Sequence, residues 1–447
     1  MSDWLLAIAT CLLLAWAGRP WARRVAGSAP GRWGLHGLSY LCGTAMVSLA
    51  MLGVAFVGLP VSRWTLAVAF LIVRATGSRP PALPERRPLP GRGGPAVALP
   101  MAAVVATLGF GMLQAFRLGG IDSIDFLKAW GLKGVAVLDD HSLDFSRLSG
   151  PHLFYPLEVS NVNGAVLLVL GHVNDSVLRL PAALFAVSLA AVMWWLLRLV
   201  MPPAPAAAAI ALAVMTPEFT TLMTNGLADL VLASYVTVCV LGAYLWLLDG
   251  GTRYAALSGF AAGAAAWTKL EGTVACAAVL VAVLLVRRAW RTPGAGIWIA
   301  WFAVFIVPWQ VFQRVHDIPA NRSHFKTLYL HPLWIVDHVA RTLAETAHWG
   351  LFWPIVLGLI ALTTPLWWNT PARLLAAVTL PNLVLTLGAY VTHYRAGQAD
   401  SVEATAHRLY MHIAPSLAVM AVMGATVALS ALRERPPDPH PEPARCR

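Results

Sequence analysis

Apolar residues run in long blocks along this chain, at 3–17, 36–58, 61–73, 96–116, 177–200, 204–221, 227–248, 254–268, 272–286, 296–314, 349–367, 372–391 and 409–431. A bilayer core takes roughly 20 helical residues, so the thirteen runs predict an all-α, polytopic membrane helix bundle of about 11–14 spans. Runs 61–73, 254–268 and 272–286 are short and read as tilted, interrupted or re-entrant. A further apolar stretch at 159–173 is too short to cross and is expected to lie in the interface.

Composition agrees with the pattern. Of 447 residues, 58% are hydrophobic and 12% charged, about half the roughly 25% charge of soluble chains, and mean hydropathy is +0.67. Several soluble domains are excluded. Nineteen Trp suit interface belts. The five Cys (Cys11, Cys42, Cys239, Cys276, Cys446) form no CxxC pair and no disulfide framework.

The net charge of +11 reports topology. Alternate loops divide the 32 bases and 21 acids into 19 against 5 on one side, net +14, and 13 against 16 on the other, net −3. Basic loops stay in the cytoplasm, so the N-terminus is expected outside and the tail inside, and a nucleic-acid partner is not expected. Ala15-Trp16-Ala17 resembles a cleavage site, but Asp3 and the absence of a base before it argue against a signal peptide. Three regions are expected: 1–95, N-terminal helices with a basic cytoplasmic linker; 96–431, the functional core; and 432–447, a Pro-rich disordered cytoplasmic tail.

Polar and ionisable residues gather on the expected outer side, which holds eleven of the thirteen His and the long segments 117–176, 315–348 and 392–408. Asp122 and Asp125 follow the 96–116 run, three residues apart on an expected helix over 123–137. Asp122 has the position of a helix cap, whereas a carboxylate at Asp125, held at the bilayer rim, suits a general base. Lys128 and Lys133 follow, then His152 and Tyr155. Asp229 opens the 227–248 run, Lys269 and Glu271 separate two apolar runs, and His407, Arg408 and His412 begin the last. Charges at such depth are costly and usually functional. The structural alternatives are a neutral bridge from Lys269 to Glu271 or Asp229, and Arg408 as an interfacial anchor.

The order of these features resembles bacterial GT-C fold glycosyltransferases, and more narrowly the family 39, dolichyl-phosphate-mannose-protein mannosyltransferase-like membrane enzymes. It rests on an acid in the first outer loop, Trp130-Gly131-Leu132-Lys133, Tyr155-Pro156, Ala228-Asp229, Thr268-Lys269-Leu270-Glu271-Gly272 and Arg408. The resemblance implies transfer of a sugar from a polyprenyl-phosphate donor to an extracytoplasmic glycan, lipid or protein acceptor, in a bacterial inner membrane. Asp125 matches the catalytic acid position, with Asp122 in reserve. Phosphate-binding cations are expected in Lys269, Arg408, Lys128 and Lys133, and substrate contacts in His152, Tyr155, Asp229, Glu271, His407 and His412. Tyr155-Pro156-Leu157 lacks a second Pro, and Phe126 follows Asp125 where the family has a second acid. No cofactor is required by this reading; a divalent metal is conceivable beside Asp122, Asp125 and the outer His, without HExxH-type spacing to support it. The competing reading is a transporter or flippase for a lipid-linked or small polar substrate, which would place its site near the bilayer midplane on broken, repeated helices.

Overall fold

The computed structural model describes residues 1–26, 29–77, 88–91, 93–121, 123–146, 148, 153–287, 292–318, 332–393 and 399–433. Among these there is helix and no strand, and each of the thirteen apolar runs is helical. The first three are α1 (Ser2–Val25), α2 (Arg32–Phe56) and α3 (Arg63–Thr76). α1 and α2 meet at a glycine crossing: a Cβ on Gly43 would sit 1.8 Å from the Leu14 carbonyl oxygen, and one on Gly18 2.2 Å from the Gly43 nitrogen. Small residues permit backbones this close. α4 (Pro95–Arg117) is mostly exposed, presenting Leu99, Val105, Phe110 and Leu113 outward as a lipid-facing helix does.

The segment after α4 turns through a π-helical stretch, Phe126–Trp130, into α5 (Gly131–Asp140). α6 (Glu158–Leu170) holds the short apolar stretch, and every residue except Val169 is buried as it packs against α5, α1 and α2. Protein rather than lipid surrounds it, so its 13 residues need not match the bilayer thickness. A 3₁₀ turn, Asp175–Leu178, leads into α7 (Arg179–Arg198). The run 204–221 is broken at Thr216-Pro217 into α8 (Pro203–Val214) and α9 (Pro217–Thr224), bent by 64°. Pro217 cannot continue a helix through its missing N–H, and the Thr216 hydroxyl caps the new one.

α10 (Ala228–Asp249) is the central helix, apolar on all sides and buried from Ala228 to Leu247. It is followed by α11 (Thr252–Thr268), α12 (Leu270–Arg287), α13 (Pro293–Val315), α14 (Pro332–Ala344), α15 (Thr346–Trp349), α16 (Phe352–Trp367), α17 (Ala372–His393), α18 (Ala399–Met411) and α19 (Ala414–Arg433), of which α11, α12, α17, α18 and α19 pack against it. Among the described residues, seven helices are long and apolar enough to cross a bilayer, or eight with the bent pair. That is fewer than the 11–14 expected. α3 and α11 have 14 and 17 residues, and α11 is buried along most of its length against α10 and α13.

Candidate active site

The charged residues converge where α10 and α12 begin and α11 and α18 end. The positive φ of Gly226 (+68°) turns the chain between α9 and α10, while the Asn225 side chain accepts the Leu227 N–H at 3.0 Å. This presents Asp229, one residue into α10, to three other elements. Lys269 is an extended residue between α11 and α12, and its Nζ lies 3.0 Å from Asp229 Oδ1. His412 Nε2, in the turn after α18, lies 3.0 Å from the same oxygen. Arg408, in the last turn of α18, donates from Nε at 3.1 Å and Nη2 at 3.0 Å to Oδ2. Asp229's side chain is 1% exposed. A carboxylate sealed from water is tolerable only when paired and hydrogen-bonded, and here both oxygens are taken.

Arg408 has a third arm, with Nη1 2.5 Å from Asp125 Oδ2. Asp125 keeps 44% of its side chain in solvent, so one guanidinium bridges a buried carboxylate to an accessible one. Burial opposes the Arg408 charge, but Asp229 and Asp125 more than offset it and raise its pKa above the ordinary arginine value. Asp125 immediately precedes the π-helical stretch, whose Gly131 N–H bonds the Phe126 carbonyl five residues back. Such single turns recur at functional sites. The approach to Asp125 is pinned as well: Asp175 accepts the Ile121 N–H at 3.1 Å, and Arg179 donates to the Gly119 and Gly120 carbonyls.

Glu271 and Tyr155 complete the wall. Glu271 Oε1 lies 3.5 Å from Lys269 Nζ and accepts the Tyr155 hydroxyl at 3.2 Å. The Tyr155 ring stacks on Trp130 at 5.2 Å and faces Lys269 Nζ at 5.9 Å. Lys133 stands apart from these phosphate candidates: it is fully buried, donates to the Tyr155 carbonyl at 2.9 Å, and lies over the Phe145 ring. Burial brings its pKa down to about 7. Lys128 is exposed. His407 turns away from Asp229 toward Glu218 and His348. Asp122 and His152 lie outside the described residues.

The sequence reading missed Glu158. It opens α6, fully buried, and accepts from the Tyr235 hydroxyl at 2.5 Å and the Thr268 hydroxyl at 2.9 Å. Thr268 directly precedes Lys269, so this network fixes the end of α11 from behind. An acid at the head of an apolar stretch carrying Asn161 and Asn163 was the available signal.

A polytopic helical membrane protein with a carboxylate–cation cluster at one end of its bundle is thus defined. Residues 161–312 match the family described as dolichyl-phosphate-mannose-protein mannosyltransferase, about a third of the chain. The match supports the GT-C-like glycosyltransferase family and, with it, glycosyl transfer as the general chemistry. It includes Asp229, Lys269 and Glu271, while Asp125 and Arg408 fall outside it. No curated protein and no solved structure matches the chain.

Proposed function

We propose that this protein transfers a sugar from a polyprenyl-phosphate carrier to an extracytoplasmic acceptor, a lipid-linked glycan, lipopolysaccharide or protein, with Asp125 as the general base. The observation that carries the reading is the bridge from Arg408 to both Asp125 and Asp229. It sets a solvent-accessible carboxylate beside Arg408, and the buried carboxylate that holds Arg408 in place also holds Lys269. The acceptor hydroxyl gives its proton to Asp125 while its oxygen forms the new bond to the anomeric carbon. The bond from that carbon to the carrier phosphate breaks, and the electron pair leaves with the phosphate. The sugar passes through an oxocarbenium-like state, and the charge growing on the phosphate is met by preorganised cations. Asp229 is a positioning residue, since its oxygens are occupied and turned from solvent.

Two further features support a lipid-borne donor. Between α12 and α17 runs an apolar cavity of about 1490 Å³, lined by Val274, Ala278, Val281, Leu285, Pro381 and Val384 among others. Thr273, two residues beyond Glu271, also lines it, so a chain lying in the groove would bring its phosphate toward Lys269. The division of basic loops supports the outer side for this end, in a bacterial inner membrane.

The test is release of polyprenyl phosphate from a donor labelled in its lipid chain, by the purified full chain with a membrane extract as acceptor. The wild type is expected to release it, and Asp125→Asn to slow release by about 10²–10⁴-fold with insertion unchanged. A fully active Asp125→Asn removes the base assignment. The same groove would serve a flippase, but translocation leaves the glycosidic bond intact and has no use for a base. Reporter fusions placing residues 123–146 in the cytosol would remove the donor and the proposal with it.

A further inference from the structure

A second convergence of side chains lies beside α18 at His407, one residue before Arg408. Glu218 of α9, His348 of α15 and His407 of α18 present ligand atoms that all lie within 4.8 Å of one another. We propose that these three residues bind a divalent transition-metal ion, zinc by its preference for imidazole and carboxylate donors, and that the ion clamps α18 in the position from which Arg408 reaches its carboxylates.

Four observations carry this. First, Glu218 is 1% exposed, and among the described residues its ionic partners are the two imidazoles, with no Lys or Arg. A sealed carboxylate requires a positive partner. Second, the spacing suits an ion. Ligand atoms about 2.0–2.1 Å from a tetrahedral zinc stand roughly 3.3 Å apart; Glu218 Oε2 is 2.7 Å from His348 Nδ1 and Oε1 is 3.7 Å from His407 Nε2. The second distance is too long for a hydrogen bond, and small adjustments bring both to the ligand spacing. Third, His407 is oriented from behind as ligating histidines are: its Nδ1 bonds the Glu403 carbonyl at 3.1 Å, which leaves Nε2 a lone pair facing Glu218. Fourth, the His348 and His407 rings lie 4.2 Å apart at 18°, with side chains 33% and 16% exposed. The cluster is therefore sealed on the Glu218 side and open on the histidine side, leaving a path for the ion and room for water as a fourth ligand.

The consequence for the neighbouring site follows from covalent connectivity. His407 and Arg408 are adjacent in α18 and point to different partners, so fixing the first to α9 and α15 fixes the direction of the second.

The experiment uses the full chain in detergent, freed of metal with a chelator, incubated with zinc chloride at micromolar concentration, desalted and assayed by elemental analysis. One zinc per chain is expected for the wild type, and a loss of at least tenfold in retained zinc for H407Q/H348Q and for E218Q. Retention below a tenth of an equivalent by the wild type overturns the proposal and leaves a Glu–His hydrogen bond in its place; so does undiminished retention by the variants. Should the variants fail to fold by size-exclusion profile, Co(II) added to the metal-free wild type decides the matter. Intense visible d–d bands of a four-coordinate nitrogen–oxygen site support the proposal, and their absence, or a sulfur charge-transfer band, refutes it.

Discussion

Removing the Arg408 side chain is the sharpest perturbation of the proposed site, because three donor contacts disappear together. Arg408→Ala strips two bonds of 3.1 and 3.0 Å from the buried Asp229 and one of 2.5 Å from Asp125. Breaking a buried ion pair on one side costs about 3–5 kcal/mol. Lys269 and His412 still meet Asp229 Oδ1 while Oδ2 loses its Arg408 donors, so a cost inside that range, about 3–5 kcal/mol, is expected for stability. The catalytic loss is separate. A preorganised donor to a developing oxyanion contributes about 10²–10³ in kcat, and Arg408→Ala should fall in that range with weakened donor affinity. Arg408→Lys keeps the charge, but an ammonium cannot engage two carboxylates as the planar fork does. Losing one charge-assisted bond, about 1.5–3 kcal/mol, predicts a fall of roughly 10- to 100-fold, smaller than for alanine, with donor affinity largely retained. The assay is steady-state release of polyprenyl phosphate alongside equilibrium binding of labelled donor, with thermal inactivation measured on each variant. An alanine variant within about twofold of wild type in rate and affinity would demote Arg408 to an interfacial anchor, and a lysine variant as active as wild type would refute the fork.

Lys133 gives a pH signature. Its folded pKa near 7 lies below its usual 10.5, so between those values the native state holds it neutral while the unfolded chain binds the proton, and stability rises with pH through that window and is lost as pH falls toward 7. Thermal inactivation of wild type minus that of Lys133→Met should show this slope, and parallel profiles would refute it. Gly43→Val drives a side chain into the Leu14 carbonyl; an overpacking cost of about 1–3 kcal/mol or more is expected as lower monodisperse yield and faster inactivation, and an unaffected variant would show that α1 and α2 do not need this approach. Tyr155→Phe keeps the stack on Trp130 and loses the hydroxyl on Glu271, so kcat should fall by less than about 10-fold and Tyr155→Ala by more. Equal losses would move the role from ring to hydroxyl.

The sequence exposes what is costly and hides what offsets the cost. Apolar runs were legible because a helix in lipid must satisfy its own backbone, and all thirteen are helical, though 204–221 is broken at Pro217 and 409–431 is interrupted after Met411. Asp229, Lys269, Arg408 and His412 were legible as anomalies in those runs, yet their partners stand 40, 179 and 183 residues from Asp229, and no local spacing encodes a meeting at that range. Hence Asp229 could be read as one substrate contact among several, when it is the residue that holds two cations and an imidazole. One structural alternative for the cations turns out half true: Lys269 does bridge to Asp229 and Glu271, but Arg408 shares the Asp229 carboxylate, which joins the two cations into one unit. The π turn after Asp125 was hidden for a different reason, since a hydrogen-bond register one residue longer leaves no mark on composition. The burial of α6 was hidden too, because length shows whether a helix can cross lipid, whereas packing by α1, α2 and α5 decides how much of it meets lipid at all. Glu218, His348 and His407 are the extreme case. Each is an ordinary polar residue near an apolar run, and only the fold makes one cluster of them.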